Sequence, residues 1–329
     1  MPGAVTECKS DRVRVVVTGG LGFIGRALAR RVLAHGSLAG RRVSEVVLFD
    51  RPGGEGVAGA RVVAGDICDP GQVAALLDAG EVCVFHLASV LSGEGERDFD
   101  LALRVNLDGG RNILEACRAH RSRPRLVFSS TVAVFGGSSL PETVTDTTKP
   151  TPETTYGATK AACELLVNDY TRKGFLDGRT ARLPTVIIRP GAPNLAASSF
   201  ASAVFREPLA GIDYALPVGL ETRIPVIGVR TVVEGLVSLA EIDGAALGDD
   251  RALNVPGISV TVAEMVESVR RVGEGRRLGA ISVAPDPEIE AIVRTWARRS
   301  SAERALALGL PQDEGLDAIV RAYIEDYLA

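Results

Sequence analysis

Two residues four apart, Tyr156 and Lys160 in Tyr156-Gly157-Ala158-Thr159-Lys160, are of the types needed to move a proton at an alcohol or a carbonyl. On a helix that spacing puts both side chains on one face. A free phenol, with a pKa of about 10, is a poor base at neutral pH. A nearby ammonium favours the phenolate and lowers that value. The reacting hydroxyl must also be oriented, and Ser129-Ser130-Thr131 offers three hydroxyls for that task. Lys160 is not background, because Lys9, Lys149, Lys160 and Lys173 are the only lysines in a chain otherwise rich in arginine. The same spacing also describes an ordinary solvated helix face, so the pair needs a context.

That context is Thr18-Gly19-Gly20-Leu21-Gly22-Phe23-Ile24-Gly25, where Gly19, Gly22 and Gly25 recur every third residue after a β-branched run. In a strand-turn-helix unit the first glycine permits a tight turn. The second lets backbone approach a pyrophosphate, and the third lets helix and strand pack closely. The helix N-terminus then offers unpaired N–H groups to the anion. The pattern predicts a dinucleotide cradle. Asp50 closes the next strand, where a carboxylate bonds the adenosine ribose hydroxyls and repels a 2′-phosphate, which favours NAD over NADP. Arg51 could hold such a phosphate, and Asp50 could instead be a turn residue before Pro52. Asp66-Ile67 can reach the adenine edge, or Asp66 can cap a helix starting at Pro70.

The elements that must position these groups follow from periodicity. Strands are expected at 13–17, 43–50, 61–65, 82–88, 125–130 and 185–189, with the last as the sixth strand of one sheet. Helices are expected at 23–35, 70–79 and 99–121, and from Tyr156 to about Lys173. Strands alternating with helices predict an α/β fold, a Rossmann-type doubly wound parallel sheet with right-handed crossovers. Ser129 to Thr131 then sit at the carboxyl edge, where ligands bind in such sheets. After Pro190 the rhythm breaks, and Pro and Gly become frequent. The expected division is a dinucleotide-binding domain over 1–190, with part of 226–255 returning to it, and a smaller C-terminal substrate-binding lobe over 191–329.

Composition narrows the partners. A net charge of −4 gives no basis for nucleic-acid binding. No apolar run approaches the roughly 18 residues that span a bilayer. The five cysteines, Cys8, Cys68, Cys83, Cys117 and Cys163, are odd in number and contain no C-x-x-C pair. A disulfide or metal site is therefore not expected, and a reducing cytoplasm fits. His86 reads as a strand-end packing residue rather than a base.

Taken in order, Thr18 to Gly25, Asp50, Asp66-Ile67, His86-Leu87-Ala88, Val105-Asn106, Ser129 to Gly136, Tyr156 to Lys160 and Arg189-Pro190-Gly191 resemble the extended short-chain dehydrogenase/reductase family, also called the NAD-dependent epimerase/dehydratase family. The resemblance spans nearly the whole chain. It implies that Phe23 and Ile24 lend backbone to the pyrophosphate site, and that Leu87 and Ala88 line the cofactor. Ser129 and Pro190 border it, and Asn106 holds the geometry of the site. Thr131, with Ser130 beside it, takes the place of the orienting hydroxyl, Tyr156 that of the acid/base and Lys160 that of its activator. The family also implies a homodimer, paired through the helices at 99–121 and 156–173.

A narrower set of stretches includes Val90-Leu91-Ser92-Gly93, Asp98-Phe99-Asp100, Arg104 to Asp108, Pro193-Asn194, Ala196 to Ala201 and Thr261 to Met265. These resemble dehydrogenases of four-carbon sugar acids, which implies oxidation at C2 with NAD as the hydride acceptor. Ser92, Asn194, Ser198 and Ser199 would then meet the polyol hydroxyls, although such residues are also ordinary loop chemistry. Arg223 and Arg230 are candidates for the substrate carboxylate, with a surface ion pair as the alternative for Arg230. Two departures from the wider family count. Val132-Ala133 follow Thr131 where sugar-nucleotide dehydratases carry Asp-Glu, so the dehydration pair is missing. Gly228-Val229-Arg230 replaces a His-Val-Asp segment. A sugar-nucleotide epimerase and a non-catalytic binding protein on the same fold are the competing readings.

Overall fold

The computed structural model describes residues 11–191 and 197–328. The central strands of its main sheet are largely apolar runs buried on both faces, as parallel strands between helices require. The strands are β1 (Arg12–Thr18), β2 (Arg41–Asp50), β3 (Arg61–Ala64), β4 (Val82–His86), β5 (Arg125–Thr131) and β6 (Asp177–Leu183). A second, small sheet uses β7 (Thr185–Ile187), β8 (Arg223–Gly228) and β10 (Ile258–Thr261), while β9 (Ala252–Asn254) goes back to the main sheet beside β6. The parallel order is β3-β2-β1-β4-β5-β6-β9, a doubly wound Rossmann sheet whose order reverses at β1. Register brings Thr18 opposite both Phe49 and His86, and His86 opposite Phe128. The residues just beyond that row (Gly19, Asp50, Leu87 and Ser129) therefore converge at one edge, although they are far apart in sequence.

Helix α1 (Phe23–His35) follows the glycine turn and stops at Gly36, which takes the left-handed conformation at φ 72°. Helix α2 (Pro70–Leu76) starts on Asp69, whose carboxylate accepts from Gly71 N at 2.8 Å and Gln72 N at 3.1 Å. Asp69, not Asp66, is thus the cap. The next helical run passes through Phe99–Ala102, a π-helical turn at Leu103–Asp108 and α3 (Gly109–Ala119). Helix α4 (Thr155–Arg172) carries Tyr156 and Lys160.

The sixth strand of the main sheet is a correction. Thr185–Ile187 does form a strand, but it pairs with β8 in the small sheet. The main sheet is continued by Asp177–Leu183, which reads Asp-Gly-Arg-Thr-Ala-Arg-Leu. This polar run is buried because its charges are paired. Arg179 bonds Asp177 at 2.6 Å and the Leu239 and Ala240 carbonyls at 3.1 and 3.0 Å, and Arg182 pairs with Glu164 at 2.7 Å. Pro184 then separates the two strands.

Two hydrophobic cores result. One lies on the main sheet and includes Val15, Val17, Leu28 and Phe85, together with Val232, Leu236 and Leu239 of a helix that comes back from the C-terminal half. The other packs α5 (Phe200–Leu209), buried on all sides, against β8, α7 (Val262–Val272) and α8 (Leu316–Tyr327). The returning helix, α6 (Val229–Glu241), crosses α1 and joins it through Arg31 and Glu234 at 2.5 Å. Trp296 is half-buried against the second core.

Candidate active site

The glycine turn is shaped by contacts that no side chain could share. Gly19 sits at φ 67°, and a β-carbon there would meet Ala88 N at 2.8 Å. A β-carbon on Gly25 would run into the Gly19 carbonyl. Gly20, which the three-residue spacing does not single out, is pressed as closely against Leu48 of β2. Helix α1 begins at Gly22 with no side-chain cap, so its first N–H groups remain for an anion. Leu87 N and Ala88 N donate to the Thr18 carbonyl and hydroxyl at 3.1 and 3.3 Å. This locks the end of β4 to the turn.

Asp50 does two things in the structure. One carboxylate oxygen accepts from Leu21 N at 2.9 Å, holding the turn, and the other accepts from Arg51 N at 2.8 Å. Asp66 is exposed, and its carboxylate accepts from Cys68 N at 2.9 Å. Ile67 is buried beside it, and its carbonyl receives the Asn112 amide at 3.0 Å. Phe23 stands at the head of α1 with its ring 6.4 Å from that of Tyr327, and Ile24 packs on the main core. These residues suit a dinucleotide, with a cradle too tight for a β-carbon at Gly19, Gly20 or Gly25, uncapped helix N–H groups and a carboxylate at the end of the second strand.

Across the cleft, Thr154 caps α4 by accepting from Gly157 N at 3.0 Å, which puts Tyr156 in the first turn and Lys160 one turn later. Lys160 is 2 % exposed, and its Nζ donates to the Ser129 carbonyl at 2.8 Å. The ammonium lies 4.8 Å from the Phe128 ring centroid and 5.7 Å from that of Tyr156. Burial pulls its pKa down to about 8, opposed by Cys163 and Glu164. Tyr156 is half-buried, and desolvation pushes its phenol up to about 12, with a hydrogen bond from Thr131 working the other way. The ammonium sits over the Tyr156 ring and turns one donor to Ser129.

The three hydroxyls at the end of β5 part company. Thr131 faces Tyr156 and also accepts from Ala133 N at 3.1 Å. Ser129 donates to the His86 carbonyl at 3.0 Å. Ser130 is buried and donates to Glu164 on α4, so it does not enter the cleft beside Thr131. Alternation along a strand is the reason. Asn106 lies in the π turn. Its Oδ1 accepts from Val90 N at 2.8 Å, and its Nδ2 donates to the Val90 carbonyl and the Thr159 hydroxyl at 3.1 and 3.3 Å. It clamps the loop after β4 to the catalytic helix. His86 shares a 2.7 Å hydrogen bond between its Nδ1 and the Thr18 hydroxyl. Burial and then the Lys160 charge push it down to about 3, so it stays neutral.

The candidate substrate groups are less converged. Ser92 opens the short helix Ser92–Arg97, while Ser198 and Ser199 lie in a half-buried turn before α5. Asn194 lies outside the described residues. Pro190 follows a backbone held by Ser202, which accepts from Arg189 N at 3.1 Å, and by Arg206, which donates to the Arg189 carbonyl at 3.0 Å. Arg223 donates to the Ser259 carbonyl at 2.9 Å and stands 3.7 Å from Glu264. Arg230 takes the surface ion pair that stood as its alternative to a carboxylate ligand. It forms an exposed ion-paired fork with Asp326 at 2.6 Å and Glu325 at 3.0 Å on α8, because it opens α6 beside the acidic end of that helix. Sequence reasoning missed Glu164 and Arg182, although the i, i+4 step from Lys160 to Glu164 was a visible signal.

Comparison with known proteins gives consistent findings. The family model described as NAD dependent epimerase/dehydratase matches residues 15–250. A D-erythronate dehydrogenase of Cupriavidus necator is 46% identical over 320 residues, 95% of this chain and 98% of that protein. A D-erythronate dehydrogenase of Haemophilus influenzae is 39% identical, over 95% of this chain and 99% of that protein. A crystal structure described as a nucleoside-diphosphate-sugar epimerase from Agrobacterium tumefaciens is 38% identical, with a TM-score of 0.90 over 99% of this chain and 98% of its own.

Proposed function

The chain belongs to the NAD-dependent epimerase/dehydratase family and is an NAD-dependent dehydrogenase; from that premise we propose that it oxidises the C2 hydroxyl of D-erythronate to give 2-dehydro-D-erythronate. The observation that carries the reading is the buried Lys160, which lies over the Tyr156 ring and bonds the end of β5 beside Thr131, at the sheet edge that also bears the glycine cradle. The names of the two dehydrogenase relatives support the substrate.

In this reading NAD, when bound, accepts a hydride at its nicotinamide. Gly19, Gly22, Gly25 and the start of α1 hold its pyrophosphate, Asp50 its adenosine ribose, and Asp66 and Ile67 its adenine edge. Leu87, Ala88, Ser129 and Pro190 line its path. Thr131 orients the C2 hydroxyl, and Tyr156 as phenolate takes that hydroxyl's proton as C2 loses its hydride. Lys160 stabilises the phenolate and holds the nicotinamide ribose. Ser92, Ser198, Ser199 and Arg223 are the substrate contacts retained. Residues 1–190 remain the proposed cofactor domain, with α6 and β9 returning to it, and 191–329 the substrate lobe. The two separate cores support that division. A homodimer would cover the outer face of α4 and the start of the 99–119 helical run, where Leu165 is 71 % and Phe99 57 % exposed. Among the described residues no helix is long and apolar enough to cross a membrane.

The description of the Agrobacterium structure favours a second reading, epimerisation of a nucleotide sugar. NADH absorbance on mixing the protein with NAD and D-erythronate, L-threonate, D-threonate or UDP-galactose decides between them. NADH from D-erythronate, lost in Tyr156→Phe, supports the dehydrogenase. Conversion of UDP-galactose to UDP-glucose without net NADH supports the epimerase and overturns it.

A further inference from the structure

Glu164 lies one helical turn beyond Lys160 on α4, and both are almost fully buried. A buried carboxylate is costly unless it is fully partnered. Here Arg182 grips it through Nη2 at 2.7 Å and through Nε at 3.0 and 3.1 Å, and the Ser130 hydroxyl donates to it as well. Arg182 is held in turn. Its Nη1 donates to the Asp146 carbonyl at 3.0 Å, and its guanidinium carbon lies 5.2 Å from the Phe135 ring centroid. All the acceptor sites of Glu164 are turned to protein, so it contacts no reacting group.

We propose that Glu164 is a positioning residue for the Tyr156–Lys160 couple, acting through Ser130 and through Lys160 rather than by touching substrate. The proposal rests on the reading of Tyr156 as the base. Its first link is mechanical. Ser130 sits between Ser129, whose carbonyl accepts one hydrogen bond from the ammonium, and Thr131, the orienting hydroxyl of the proposed reaction. Tethering Ser130 to α4 fixes both neighbours against the helix and leaves two ammonium donors for the phenolate and a ribose.

The second link is charge. The titratable groups facing Lys160 are Tyr156, Cys163 and Glu164 from α4 and His86 from β4, with Arg182 of β6 behind Glu164. Burial pushes the Cys163 thiol up to about 11 and His86 down to about 3, so both are neutral at working pH. Glu164 is then the standing anion that opposes the desolvation of the ammonium. Without it, Arg182 would present an unbalanced positive charge to Lys160.

The test uses the NAD-bound protein labelled with 13Cε-lysine. The chain has four lysines, so Lys160→Met assigns its resonance. In Glu164→Gln the titration midpoint of Lys160 should fall by about one pH unit. In Ser130→Ala, kcat should fall about tenfold while the NAD Kd holds, and Ser130→Thr should restore it. A Lys160 midpoint unmoved in folded Glu164→Gln overturns the proposal. If that variant does not fold, Ser130→Ala decides alone, and an unchanged kcat overturns it. A wild-type protein that binds NAD but oxidises no acid sinks the proposed function instead, and the NMR midpoint, which needs no substrate, stays readable.

Discussion

The cofactor edge and the substrate lobe build their polar groups in opposite ways. At the edge of the main sheet the working groups are backbone N–H donors and hydroxyls, set by close steric contacts of backbone with backbone, from Gly19 at Gly25 and from Ala88 at Gly19. In the lobe the candidate groups are long side chains already engaged by distant partners. Arg230 holds Glu325 and Asp326, and Arg223 holds the Ser259 carbonyl. A backbone cradle can be read from spacing because glycines at fixed intervals mark where backbone must approach backbone, whichever strand supplies the contact. A guanidinium cannot, because its direction depends on which carboxylate the fold brings near.

Tyr156→Phe would break the comparison on the catalytic side most severely. Loss of the proton acceptor should lower kcat on D-erythronate about 10³-fold while leaving NAD affinity unchanged, as steady-state kinetics and calorimetric titration would show. Gly19→Ala tests whether the cradle is purely steric. Strain at positive φ of about 1–3 kcal/mol should weaken NAD binding by roughly ten- to a hundredfold, and an unchanged Kd would remove the argument.

His86 gives a pH test of the same edge. Its folded pKa of about 3 lies below the unfolded value of about 6.5, so the unfolded chain binds more protons between them. Stability should therefore be unaffected by this group above about pH 6.5 and fall as pH drops toward 3. Urea unfolding at stepped pH should show a shallower fall in His86→Gln. The smallest effect belongs to the lobe. Arg230→Ala removes an exposed pair, so stability should change by less than about 1 kcal/mol and KM for the acid should not move. A raised KM would return Arg230 to the substrate site and erase the contrast.

How far the chain could be read in advance follows the same division. Helix 23–35 is bounded by its own glycines, and α4 opens on a threonine cap, so both ends are local signals. The sixth strand was misplaced because β6 carries Arg179 and Arg182, which look solvent-facing until Asp177 and Glu164 are seen beside them. Thr185–Ile187 had the apolar, β-branched look of a central strand, yet it turns after Pro184 into the small sheet. Ser130 and Thr131 are indistinguishable as hydroxyls in sequence. Strand alternation and the position of α4 send one to Glu164 and the other to Tyr156.

The sequence by itself determined the glycine spacing of the cradle, the Tyr-Lys helix and the alternation that makes a parallel sheet, since each is a pattern of residue types along the chain. Only the tertiary structure decided which charges are buried and which hydroxyls face the cleft. Those outcomes depend on pairing between residues as far apart as Arg182 and Glu164, or Arg179 and Leu239, and a buried charge is stable only where the fold supplies its partner.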